Sequence, residues 1–161
     1  MVLKDAQQQH GLRHKDFQSY HQYISRKLHR MRKSLNFQQG KGNRVTPKKI
    51  TKAVLTDERF ILMKLFESER AWAHAMQLKS ESNTEPRKVY HMRSRLKKAV
   101  DRANELWELC KWGKCDDHEN VEKCEICGKC DAHTYVESQA YYYTMQAVRY
   151  FEISVSRLLS I

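Results

Sequence analysis

The chain has 161 residues, 30 Lys+Arg against 19 Asp+Glu, and a net charge of +11. That length suits one domain with a core of its own, and no apolar run approaches the roughly 18 residues of a membrane span. With 5 Gly and 2 Pro, the chain has too little turn-forming material for an all-β fold, so the composition predicts an all-α architecture.

The charge is partitioned along the sequence. Residues 1–100 carry 23 Lys+Arg against 8 Asp+Glu, whereas residues 101–161 carry 7 against 11. A polyanionic partner is therefore expected on the first hundred residues. The start, MVLKDAQQQH, lacks the apolar core of a signal peptide. All five cysteines fall between positions 110 and 130, an odd number that suits a reducing compartment better than a disulfide framework. Both features point to the cytosol.

The first predicted helix runs over about 4–38. Within it Phe17, Tyr20, Ile24, Leu28, Met31 and Leu35 are spaced at intervals of 3, 4, 4, 3 and 4, which places them on one stripe. Arg26, Arg30 and Lys33 fall on the opposite side, flanked by Lys27 and Arg32, in the word SRKLHRMRK. A solvated charged face normally interleaves acidic residues for pairing one turn away. Here residues 17–56 contain none. The expected role of this face is to bind a polyanion, with nucleic acid as the natural candidate.

Gly40, Lys41, Gly42, Asn43 and Arg44 form a basic break after this helix. Thr46 and Pro47 suit the cap and first position of a short helix over 47–54, with Ile50, Ala53 and Val54 on its apolar face. Thr56 can cap the next helix, predicted over 57–80, whose Asp57 and Glu58 complement the helix dipole. Its apolar residues point nearly all around the axis, the pattern of a central helix packed on several sides. A third long helix, opened by Glu85-Pro86, is predicted over 85–112. It carries Val89, Met92, Leu96, Val100, Ala103 and Trp107 on one stripe, with Arg87, Arg95, Lys98 and Arg102 opposite. A last helix over 133–159 comes after a cysteine-rich loop at 113–132. Trp72 and Trp107 are expected in the core, since aromatics at helical spacing usually pack. Tyr141, Tyr142 and Tyr143 cannot all face one side, and their roles stay open between core and base stacking.

Three blocks carry a resemblance: LKDAQQQHGLRHKDFQSYHQYISRKLHRMRKSLNF (3–37), LTDERFILMKLFESERAWAHAMQLK (55–79) and TEPRKVYHMRSRLKKAV (84–100). They resemble the N-terminal region of the 68-kilodalton proteins of the signal recognition particle. The least generic words are QHGLRH, ERAWAHAMQLK and NTEPRK, with a weaker continuation at ESQAYYY. The resemblance implies a tetratricopeptide-like, all-helical domain that docks on the particle's RNA near a three-way junction, bends it, and inserts an arginine-rich helix into a groove. Carried onto this sequence, that motif is Arg26, Lys27, Arg30, Arg32 and Lys33, with Lys27 and His29 standing where the pattern leans on arginine. Lysine offers a point charge where arginine offers a two-pronged fork, so fewer base contacts are expected here. With Arg13, Lys41, Arg44, Arg87, Lys88, Arg95, Lys98 and Arg102, these residues make up the candidate RNA-binding set. The family's longer proteins continue into a region that binds a sister subunit, so the chain reads as a fragment or short form whose end, RYFEISVSRLLSI, packs in part against the next segment of a longer protein. Cytoplasmic residence, with passage through the nucleolus during assembly, is the corresponding expectation, without membrane insertion.

The cysteine-rich segment offers Cys115/His118, Cys124/Cys127 and Cys130/His133 at chelating spacing, plus Cys110. Two such pairs suffice for a tetrahedral zinc site. Against that, the ligands outnumber one metal, the segment is acidic, and the family pattern needs no metal, so zinc and a plain polar loop both stay open and no cofactor is required. His10, His14, His21, His29, His74 and His91, with Glu67 or Glu69, supply possible acid–base groups. No Ser-His-Asp order, HExxH or glycine-rich phosphate loop accompanies them, so the chain is not expected to be an enzyme. His21 and His29 lie beside the basic cluster and suit phosphate at low pH. The rival reading is a helical-repeat scaffold binding an acidic protein or peptide.

Overall fold

The computed structural model describes residues 2–10, 12–37, 40–41, 44–45, 48, 50–51, 54–55, 57–112 and 132–158. These form α1 (Val2–Gln9), a 3-10 turn (Leu12–His14), α2 (Phe17–Ser34), β1 (Gly40–Lys41), β2 (Arg44–Val45), α3 (Arg59–Glu81), α4 (Lys88–Trp112) and α5 (Ala132–Leu158). The fold is all-α, as the composition predicts. The two strands are a minimal antiparallel pair, Gly40 opposite Val45 and Lys41 opposite Arg44.

The helix expected over 4–38 is two helices. Lys15 takes a left-handed φ of 57° and its N–H donates to the Leu12 carbonyl at 3.0 Å, which turns the chain. Asp16 then restarts it, its Oδ1 accepting from the Ser19 N–H at 2.9 Å, a side-chain cap on an otherwise orphan donor. At the other end Asn36 sits at φ 50°. The Asn36 and Phe37 N–H groups donate to the carbonyls of Lys33 and Arg32 at 3.2 and 2.9 Å. This is a Schellman stop, for which asparagine substitutes for glycine because it tolerates the left-handed region. The chain therefore leaves the helix before the glycines at 40 and 42. Phe37 is buried and meets Phe60 edge-on at 5.3 Å, so the stop is anchored in the core.

Much of the short helix expected over 47–54, and the Thr46, Pro47 and Thr56 roles, lie outside the described residues. Within the described part, the Val54 and Leu55 N–H groups both donate to the Thr51 carbonyl, at 3.0 and 3.2 Å. Ahead of α3, the Asp57 carboxylate accepts from the Arg59 N–H at 2.8 Å and grips the same residue's guanidinium at 2.6 Å.

Helices α2, α3, α4 and α5 pack in chain order, each on the one before. α3 is the central element: Phe60, Met63, Phe66, Ala73 and Ala75 are all at most 4% exposed. Tyr20, Ile24 and Leu28 of α2 cover one side of it at 0% exposure. Met92, Leu96, Ala99, Val100 and Ala103 of α4 pack against the other. Trp72 touches all three apolar clusters, in accord with its core assignment. Trp107 instead stacks on Tyr142 of α5 at 5.4 Å, and its indole N–H is buried without a hydrogen-bond partner. The tyrosine run divides: the Tyr141 hydroxyl donates to Glu69 at 3.0 Å, Tyr142 stacks on Trp107, and Tyr143 is exposed.

Candidate nucleic-acid interface

The apolar stripe of α2 is fixed on α3, so its remaining surface divides into an open face and two edges. Arg26, Arg30 and Lys33 lie on the open face, exposed and without an ion pair among the described residues. An open groove of ≈ 890 Å³ runs beside this face, lined by side chains that include His10, Tyr23, Ser25, Arg26, His29 and Arg30. Among the described residues no carboxylate lines it. His10 of the neighbouring segment stacks on Tyr23 at 3.6 Å and 20°, giving one wall a flat aromatic surface.

The other cations of the cluster are turned inward. Lys27 sits with Nζ 4.1 Å from the centre of the Phe66 ring, a cation–π contact that covers its head. Arg32 donates to Glu67 Oε1 at 2.6 Å, its side chain 19% exposed. Lys64 reaches the other Glu67 oxygen at 3.1 Å and Glu105 at 2.8 Å, and Arg102 approaches Glu67 at 3.8 Å while gripping Glu105 at 2.6 Å. Burial works against the Glu67 carboxylate, but Lys64 and Arg32 hold its pKa below the ordinary 4.5. Arg32 and Arg102 therefore belong to an internal ion network that joins α2, α3 and α4.

The set expected on the outer face of α4 is likewise reduced. Arg87 is exposed but precedes α4, in the turn before Lys88. Lys88 is tied to Glu81 at 2.7 Å and Glu85 at 2.9 Å. Arg95 and Lys98 alone of that set are exposed on α4 and carry no ion pair among the described residues. The side chains of Arg13, Lys41 and Arg44 lie outside the described residues. So do Cys115, His118, Cys124, Cys127 and Cys130; Cys110 is a fully buried core residue and His133 is exposed near the start of α5.

Arg70 is absent from the site expected from sequence, and His74 figures there only as a possible acid–base group. Arg70 and His74 sit one turn apart on α3, otherwise read as core, and both are half-buried. His21 turns away from the basic face of α2 and stacks on His74, ring centres 4.9 Å apart and 27° between planes. Burial lowers the pKa of His21, with His74, Arg70 and Arg95 adding repulsion; burial and then Arg95 lower that of His74. Arg70 and Lys98 are lowered for the same reasons, burial first and neighbouring cations next. The available signal was the i, i+4 pairing of Arg70 and His74 on an apolar helix.

Among the described residues Glu69 is the one carboxylate in the core without a cation. At 1% exposure it accepts from the hydroxyls of Tyr20 and Tyr141, each at 3.0 Å, and from Gln7 at 3.3 Å. Burial raises its pKa. Its partners are neutral and enclosed, an arrangement that locks α1, α2, α3 and α5 together and exposes no reacting atom. Among the described residues no group of three or more metal-ligating side chains occurs, and no helix is long and apolar enough to cross a membrane.

Comparison with known proteins gives the same answer for most of the chain. Residues 12–154 match the family model of RNA-binding signal recognition particle 68. The chain is 44% identical over 158 residues to signal recognition particle subunit SRP68 of Drosophila melanogaster, covering 96% of this chain and 24% of that protein. It is 38% identical over 112 residues to the Dictyostelium discoideum subunit of the same name, covering 66% of this chain and 18% of that one. The Caenorhabditis elegans subunit is 36% identical over 160 residues, 94% of this chain and 24% of that protein. The chain thus spans about a quarter or less of the length of these relatives. With its basic α2, its all-helical fold and this match, the chain belongs to the RNA-binding signal recognition particle 68 family.

Proposed function

We propose that this chain is a structural, single-domain RNA-binding module of the signal recognition particle. Its α2 enters a groove of the particle's RNA near a three-way junction and so supports co-translational protein targeting to the endoplasmic reticulum. The observation that carries this reading is the sorting of α2: among the described residues, Arg26, Arg30 and Lys33 stay exposed and unpaired beside a groove that no carboxylate lines. Arg32 and Lys27, equally basic in sequence, are consumed by the fold. A helix presenting three free cations on a rigid support suits a phosphate-lined groove, where each neutralised phosphate releases counterions. Arg95 and Lys98 give a second hold on the adjoining strand, which bending requires. Sister subunits of the particle are its further partners, and the cytoplasm, with the nucleolus during assembly, is the corresponding location.

The test is a salt titration of binding to the particle's junction RNA. Replacing Arg26, Arg30 and Lys33 together by Ala should weaken binding severely and flatten the slope of log K against log salt by about 3, one for each phosphate no longer neutralised. Unchanged affinity and slope would remove α2 from the interface. Binding to an acidic peptide with indifference to RNA competitors would favour the scaffold reading instead.

A further inference from the structure

We propose that His21, Arg70, His74, Arg95 and Lys98, contributed by α2, α3 and α4, form a second phosphate seat whose stacked imidazoles take up protons when an RNA backbone phosphate lands there. The inference deepens the RNA-binding reading and rests on it. Three helices contribute to the seat: His21 from α2, Arg70 and His74 from α3, Arg95 and Lys98 from α4. The two imidazoles are parallel within 27° at 4.9 Å, and Arg70 and Arg95 are near enough to act on both. Arg70, Arg95 and Lys98 make no ion pair among the described residues.

The carboxylates that act on these groups are already engaged. Glu67, which acts on Arg70 and Lys98, is held by Arg32 and Lys64. Glu81, which acts on His74, is held by Lys88. The remaining groups acting on the imidazoles are each other, Arg70 and Arg95, all basic. Five basic side chains gathered from three helices, whose acidic neighbours among the described residues already hold other cations, are an arrangement that a bound anion relieves.

The occupant is set by position. His21 lies on the edge of α2 one turn from Ser25, which lines the groove of the open face. A helix seated in a nucleic-acid groove has a phosphate strand along each side, so α2 in a groove brings one strand over this cluster. The sign of the proton linkage is fixed by the same geometry. Burial and the surrounding cations lower the pKa of both imidazoles in the free protein. A phosphate at hydrogen-bonding distance reverses that balance, so binding takes up protons and tightens as pH falls.

The experiment measures binding of the junction RNA to the full chain against pH and salt, for the wild type, a His21→Gln/His74→Gln variant and an Arg70→Gln/Arg95→Gln variant, with thermal melts of each. Wild-type affinity should rise as pH falls from about 8 to 6, by up to about tenfold per pH unit for each proton taken up. The histidine variant should bind with a markedly flatter pH profile. The arginine variant should keep its melting temperature and lose about 2 from the salt slope. Because Arg95 is exposed and Arg70 has no ion pair among the described residues, that variant remains decisive even if the histidine variant folds poorly. RNA binding with wild-type salt slope in the arginine variant would overturn the seat and leave the α2 reading standing. Failure of the wild type to bind RNA would overturn both.

Discussion

At the scale of single residues, Glu67 and Glu69 are two carboxylates of α3 with opposite electrostatic fates. Glu67 faces Arg32, Lys64 and Arg102 and is held charged; Glu69 meets only neutral donors and is pushed toward its protonated form. Glu67→Gln leaves buried cations without their counter-charge and should destabilise the fold by roughly 3 kcal/mol, read from denaturant unfolding at neutral pH. Because the native pKa of Glu67 is lowered, its contribution is present above the ordinary 4.5 and lost as pH falls through the native value. The acid side of the stability profile should therefore flatten in that variant. Glu69 runs the other way: its contribution is present below 4.5 and lost as pH rises through the raised native value. Glu69→Gln keeps an amide among Tyr20, Tyr141 and Gln7 and removes that loss. The variant should match or exceed wild-type melting temperature as pH rises through that raised value, with a flatter profile there. A large drop at neutral pH would mean that the carboxylate is charged in the native state.

At the scale of the element, α2 is a basic helix sorted by its packing. Its buried stripe fixes its rotation, and one edge then delivers Arg32 to Glu67 while the opposite face holds Arg26, Arg30 and Lys33 in solvent. Two sets of substitutions should separate these roles. Arg32→Ala should lower stability by about 1–3 kcal/mol, since it opens the network around a buried carboxylate, while leaving the salt slope of RNA binding nearly intact. Changing Arg26, Arg30 and Lys33 to Ala should do the reverse, because alanine favours helix and these side chains stabilise nothing inside. Melting curves and salt titrations of the two variants, compared side by side, check the division. An Arg32→Ala protein that melts like wild type but loses RNA would place Arg32 on the RNA instead.

At the scale of the whole molecule, the four long helices pack in sequence order, and Trp72 contacts all three of their apolar clusters. Truncating it removes the packing common to α2, α4 and α5 around the central helix. Trp72→Ala should destabilise the protein by roughly 3–5 kcal/mol and lower its melting temperature as one cooperative transition. RNA affinity measured well below the melt should change little. A variant that melts normally but fails to bind would put Trp72 at the interface rather than in the core.

Sequence alone settles the all-α class, the apolar stripes of α2 and α4, the central place of α3 and the concentration of positive charge ahead of residue 100. Each of these depends on composition or on the 3.6-residue period, which is local. The break at Lys15 and Asp16 and the stop at Asn36 are not legible there, because single left-handed residues other than glycine leave a weak signature. The candidate site is only half legible. Periodicity places Arg26, Arg30 and Lys33 opposite the apolar stripe, and the structure leaves them exposed. It cannot tell Arg32 from Arg30, because what separates them is Glu67, 35 residues further on from Arg32, reached by packing α2 on α3. The His21–His74 stack and the cations around it are hidden for the same reason. Three helices must pack before those side chains come together, and only their packing decides which charges are neutralised inside the fold and which remain for a partner.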